Sequence, residues 1–239
     1  WEPARQRYIG DDSHAFPFAL QAFYDKTHTD LFGTLSCSPF IVVPTFLNIS
    51  CRNNVKNHLV LGYIPNLGHT KGKAKKQSAT SRLQDEHNCL RLITNQIAQI
   101  HKDGGFWTTV MGRTVRVVVW IHFIASDTKG HNDLVGHYNG GKPKYIYRDC
   151  YCEMEQLLNP WPKCKLVTID DIMRASQTPD GLANLSKKKI QNAFEGVPLS
   201  DNVHGLLGIV PAEMLHISGT GLLKYLFKSL CELIGTKNS

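Results

Sequence analysis

Two aspartates stand where apolar strands run out. Asp25 closes the stretch Phe18–Tyr24, and Asp127 follows the run Val115–Ile124 in a Ser-Asp-Thr-Lys-Gly turn. A buried strand that ends on a carboxylate delivers that charge to a water-filled cleft. Two such carboxylates brought together suit a hard divalent cation. Mg2+ takes oxygen ligands, and paired ions about 3.5–4 Å apart clamp the attacking and leaving oxygens of a phosphodiester. The competing reading is a turn former, since Asp is common after strands and at helix N-caps. Asp30 and Asp133 are neighbouring rivals for the same role, and Asp30 is the weaker because it falls beyond the strand end.

A second group of chemically capable residues follows. Cys150-Tyr-Cys152 and Cys164 lie in a Gly-, Pro- and Lys-rich segment, with His131 and His137 upstream. Zinc takes four nitrogen or sulfur ligands, so Cys150, Cys152, Cys164 and His137 are a candidate set that would staple a loop poor in apolar material. The C-x-C spacing is less usual for zinc than C-x-x-C, and reduced structural thiols are the alternative. Cys37, Cys51, Cys89 and Cys231 sit in apolar patterns and read as small core residues. His122, inside the longest apolar run, reads as a hydrogen-bonded core histidine. Lys71, Lys73, Lys75 and Lys76 fall in a loop over 66–80, either solvated or contacting phosphates.

These side chains need a sheet to position them. Strand signals occur at Phe18–Tyr24, at Pro39–Ile49 and at His58–Ile64, separated by turn residues, which predicts an antiparallel meander. Pro44 predicts that the second strand is bent or at an edge. Leu83, Leu90, Ile93, Ile97 and Ile100 recur at helical spacing over Ser81–Lys102, and Asp103-Gly104-Gly105 stops that helix. Gly105–Met111 reads as a short strand turning at Gly112 into the run from Thr114, too apolar for an edge and so a buried central strand. Beyond Asp127 helices are predicted at Val167–Ala175, Leu185–Phe194 and Gly221–Ile234, making the second half mostly α. The domain reading is an irregular segment over 1–16, an α/β core over 17–135, a Cys/His loop over 136–166 and a helical region over 167–239.

Composition narrows the classes. The 239 residues can bury a real core, and 42% hydrophobic with 20% charged content argues against wholesale disorder. The apolar run around Val119 is cut by Arg116 and His122 and falls short of the roughly 20 residues of a membrane helix, so the chain reads as soluble with no membrane partner. Seven cysteines, an odd number, do not resemble a secreted disulfide framework and favour a reducing compartment. An excess of 27 basic over 20 acidic residues, net +7, suits a polyanionic partner. A chain opening on Trp1 reads as a piece of a longer protein.

Three antiparallel strands, a helix and a fourth strand, with aspartates ending strands one and four, is the order of an RNase H-like mixed sheet. The strings FYDKTHTDLFG, FLNISCRNN, LVLGYIP, FIASDTKGHNDLVGHYN, CYC and PAEMLHISGTGLLKYLF resemble the Plavaka-like transposases of the Kyakuja-Dileera-Zisupton group, over about Pro17 to Leu230. The resemblance implies a cut-and-paste DNA transposase using Mg2+ or Mn2+, with Asp25 and Asp127 as its first two catalytic acids. It implies a Cys-rich knuckle near Cys150, DNA as partner (transposon ends and target), a homo-oligomer, a nuclear location and no small-molecule substrate. It also implies a helical insertion opened by an acid-or-Cys, x, x, His signature, which Glu213-Met-Leu-His216 resembles. The third acid is then expected beyond Ser239, with Glu213 and Glu232 as rival assignments. Ser126-Asp127-Thr128-Lys129 departs from the Tyr, Pro and Glu that many relatives carry just after the aspartate. A decayed or domesticated relative that binds DNA or protein without catalysis is the alternative, and an RNA-hybrid nuclease a third.

Overall fold

In the computed structural model residues 2–25, 27–28, 36–65, 78–138, 143–153, 155–156, 164–211 and 223–233 are described. Along the chain run α1 (Glu2–Tyr8), β1 (Ala15–Tyr24), β2 (Thr27–His28), β3 (Ser36–Pro44), α2 (Ile49–Arg52) and β4 (Leu59–Pro65). Then come α3 (Ala79–Lys102), β5 (Phe106–Val110), β6 (Arg113–Ala125), α4 (Thr128–Leu134), α5 (Ile169–Ser176), α6 (Gly181–Asn184) and α7 (Leu223–Leu233). The fold is α/β with a mixed sheet.

β3 pairs antiparallel with β1 on one side and β4 on the other, and the two-residue β2 prolongs the lane of β1 against Ser36 and Cys37. β1 pairs in parallel with β6, and β5 returns antiparallel along the other side of β6. The meander over the first strands is as predicted. β3, however, lies between two strands rather than at an edge; Pro39 and Pro44 are accommodated within its ladders, and the register against β4 shifts between Phe40 and Ile41. β3 ends at Pro44, short of the predicted Ile49, and Ile49 begins α2.

The run Val117–Ile121 is buried because both faces of β6 are covered. On one face Leu20, Phe40, Val42, Val117, Val119 and Ile121 pack with Leu90 and Ile97 of α3 and with Phe194, Val197 and Leu207 from the C-terminal half. On the other, Ala19, Val118 and Trp120 pack under Ala4 and Ile9 of α1 and the turn after it. Ser78 caps α3, its hydroxyl accepting from Ser81 N–H, and Gly104 and Gly105 end it with positive φ as the sequence predicts.

The C-terminal half departs from expectation. The helix predicted over Leu185–Phe194 is absent: α6 stops at Asn184, Ser186 adopts φ +57°, and 187–194 runs as an irregular strap. Its apolar spacing serves tertiary contacts instead. Lys188 N–H donates to Gly136 C=O, Thr94 Oγ1 to Ala193 C=O and Arg91 to Gln191 C=O, so the strap's backbone is satisfied by α3 and the turn after α4. Among the described residues from 135 to 211 short helices and irregular chain prevail, so this part is less helical than expected.

Candidate functional site

The register of β1 on β6 sets the site. Phe23 lies opposite Ala125 in the parallel ladder, so Asp25 and Asp127, each two residues further on, leave the same end of adjacent strands. Both line one cavity of about 460 Å³. Parallel neighbours deliver their C-terminal ends to one edge, which is how residues distant in sequence come to share a cleft.

Each aspartate has its own local reason. Asp127 is the N-cap of α4, its Oδ1 accepting from Gly130 N–H, so the turn-former reading describes part of what it does. The same residue also lines the cavity. Gly130 lacks a side chain where a Cβ would collide with Ser126 Oγ, and this lets the turn close tightly under the carboxylate. Asp25 is exposed just past the end of β1.

Other walls come from α3, α4 and the strap. Arg82, Leu83 and Glu86 on the first turns of α3, Lys129 and Asp133 on α4, and Lys188 on the strap line the same cavity. The Tyr24 hydroxyl hydrogen-bonds Glu86 Oε1. Burial pushes the Glu86 carboxyl above its ordinary value and Asp133 adds to this, while Tyr24, Lys129 and Lys188 pull the other way. Burial, reinforced by Glu86, likewise raises the Tyr24 phenol. Asp133 is ion-paired, with Lys129 Nζ at 2.7 Å and Lys188 Nζ at 4.0 Å. Behind them His87 locks the strap: Ala193 N–H donates to Nδ1 at 3.1 Å, so Nε2 carries the proton and donates to Asp133 C=O at 3.0 Å.

Sequence reasoning passed over Glu86, Arg82 and Lys188. The first two carried a signal: 79, 82, 83 and 86 share a helix face, and Arg82 and Glu86 are charges set into the stripe that carries Leu83. Lys188, inside a Lys-Lys-Lys run, carried none.

The cysteine cluster is partly assembled. Cys150 bridges to Leu166 and Tyr151 N–H donates to Lys165 C=O, which draws Cys164 towards Cys152. Burial pushes the Cys150 thiol up to about 11 and the Cys152 thiol in the same direction, so both are protonated thiols at neutral pH. His137 is buried, with Nδ1 on Tyr138 C=O and its backbone bridged to Lys187. Among the described residues no three or more His, Cys, Asp or Glu side chains are arranged to hold a metal ion. Cys37, Cys51, Cys89 and Cys231 are half-buried, and of these Cys89 packs against the main core as expected. Lys71, Lys73, Lys75, Lys76, Asp30, Glu213 and His216, and the side chain of Glu232, lie outside the described residues.

Among the described residues no helix is long and apolar enough to cross a membrane. Compared with protein-family models and with curated proteins, the chain matches none.

Proposed function

We propose that this chain is the catalytic core of a DDE-type DNA transposase with an RNase H-like sheet order, cutting and transferring DNA strands at the Asp25–Asp127 edge. What supports the reading is one observation: the parallel β1–β6 register brings two strand-end aspartates to one cavity. Oxygen donors of this kind fit Mg2+ or Mn2+, and Glu86 is a further carboxylate on the same cavity. Such a cation supplies charge stabilisation to the phosphate and lowers the pKa of a bound water. The chain's own residues do the rest. The β1 and β6 ends hold the acids, the α4 cap orients Asp127, and Tyr24 fixes Glu86 from behind. The basic balance suits DNA as substrate and partner, and the nucleus as place of action follows from the same reading. The Cys150, Cys152 and Cys164 knuckle would take structural zinc only if the segment rearranged and added a fourth ligand.

The test is metal-dependent nicking of duplex DNA. Asp25→Asn and Asp127→Asn are each expected to abolish it. Asn caps helices about as well as Asp, so Asp127→Asn should keep its melting temperature while losing activity. Undiminished nicking by both variants would remove the assignment. A non-catalytic DNA-binding relative is the second reading; the observation favouring it is that Asp127 and Asp133 already have structural work, as helix cap and as ion pair.

A further inference from the structure

We propose that the same cavity contains an anion subsite, in which Lys188 and Arg82 hold a phosphate group of nucleic acid next to the Asp25–Asp127 edge; the choice of nucleic acid rests on the phosphoryl-transfer reading. Lys188 and Arg82 are only weakly engaged by the rest of the chain. The Lys188 side chain is only 9% exposed, and its Nζ stands 4.0 Å from Asp133 Oδ1, beyond hydrogen-bond reach. Asp133 is already engaged by Lys129 at 2.7 Å. Among the described residues nothing accepts a hydrogen bond from Lys188 Nζ. Arg82 repeats the pattern, its Nε buried and without a hydrogen-bond partner.

Both donors line the cavity. Arg82 Nε is a buried donor left unsatisfied, which is destabilising and rare in native structures. Two cationic side chains on one cavity, Lys188 held only by its long contact with Asp133, suit an acceptor that arrives from solution. The strap explains why the lysine is there at all: Gly136, His87, Thr94 and Arg91 pin residues 188–193 by their backbone, which presents Lys188 inward as a rigid element.

The charge layout identifies the ligand class. Asp25 and Asp127 reach the cavity from the strand ends and Arg82 and Lys188 from α3 and the strap, while Glu86 of α3 and Asp133 of α4 are engaged by Tyr24 and Lys129. A phosphodiester suits this division, because its non-bridging oxygens can meet a guanidinium and an ammonium while a cation on the aspartates screens the opposing charge. In this arrangement Lys188 and Arg82 bind and orient the phosphate, and the aspartates face the reacting side.

Fluorescence anisotropy of a short labelled duplex, measured with the whole chain in chelator and again with Mg2+, tests the proposal. Lys188→Met is expected to weaken binding about tenfold, equivalent to about 1.4 kcal/mol, and to lower the slope of log affinity against log salt by about 0.9. Lys188→Arg should restore most of both. Arg82→Met, read the same way, serves if Lys188→Met fails to fold. Unchanged affinity and salt slope in the methionine variants would overturn the subsite, and a lowered melting temperature alone would make Lys188 merely the counter-ion of Asp133. Displacement of the duplex by inorganic phosphate but not by chloride of equal ionic strength would assign the subsite to a free phosphate and overturn the nucleic-acid assignment. The two proposals fail separately. Loss of binding in Lys188→Met with nicking indifferent to Asp25→Asn and Asp127→Asn keeps the subsite and removes the reaction; the reverse result removes the subsite alone.

Discussion

A lysine buried within the fold disfavours its own charged form. Lys187 is 3% exposed and its Nζ has Arg148 C=O at 3.4 Å. Burial draws the ammonium down to about 8 from an ordinary 10.5; Asp149 opposes the shift and Arg148 adds to it. Because the folded value lies below the unfolded one, the unfolded chain holds the extra proton between those pH values. Stability from this group therefore rises from about pH 8 to about pH 10.5 and is flat below. Lys187→Met is expected to flatten that rise and to stabilise the protein at pH 7 by up to about 3 kcal/mol. Urea unfolding across that pH range checks it, and a wild-type profile without the rise would refute it.

At the scale of elements, the turn between α3 and β5 sets the approach of helix to sheet. Gly105 has φ +102°, and a Cβ there would run into Val117 C=O of β6, whereas Gly104, at φ +75°, has open space. Both positions favour glycine for their backbone, but only Gly105 is also closed by contact. Gly105→Ala should cost clearly more than about 1 kcal/mol, and Gly104→Ala less than Gly105→Ala. Equal melting temperatures for the two variants would show that β5 moves freely against β6. The element most visible in the sequence was α3, because its apolar spacing and Gly-Gly stop agree, although the helix begins at Ala79 behind a Ser78 cap rather than at Ser81. The element misread was 185–194, whose helical-looking spacing reflects contacts with α3 and α4 made by an extended chain.

Across the whole molecule, the first helix and the last irregular segment hold each other. Arg7 donates to the carbonyls of Leu199 and Ser200 and to Asn202, and the Tyr8 hydroxyl donates to Leu199 C=O at 2.7 Å. Pro198 C=O in turn accepts from Ile121 N–H and Ser200 N–H donates to Ile121 C=O, so 198–200 lies along β6 beside α1. Tyr8 also packs on Trp120. Tyr8→Phe is expected to cost about 1 kcal/mol, lowering the midpoint of one transition seen alike by near- and far-UV circular dichroism. A variant that loses α1 while the rest stays folded would show that the clasp is peripheral.

The sequence by itself determined the strands, the long helix and two aspartates at strand ends, because these are local matters of periodicity, capping and turn chemistry. It also marked the basic balance and the cysteine group. Only the tertiary structure decided that Asp25 and Asp127 share a cavity and that Glu86, Arg82 and Lys188 join them. Those are matters of register and of which backbone satisfies which. A parallel ladder or a buried strap pairs groups far apart in the chain, and no spacing along the sequence encodes that pairing.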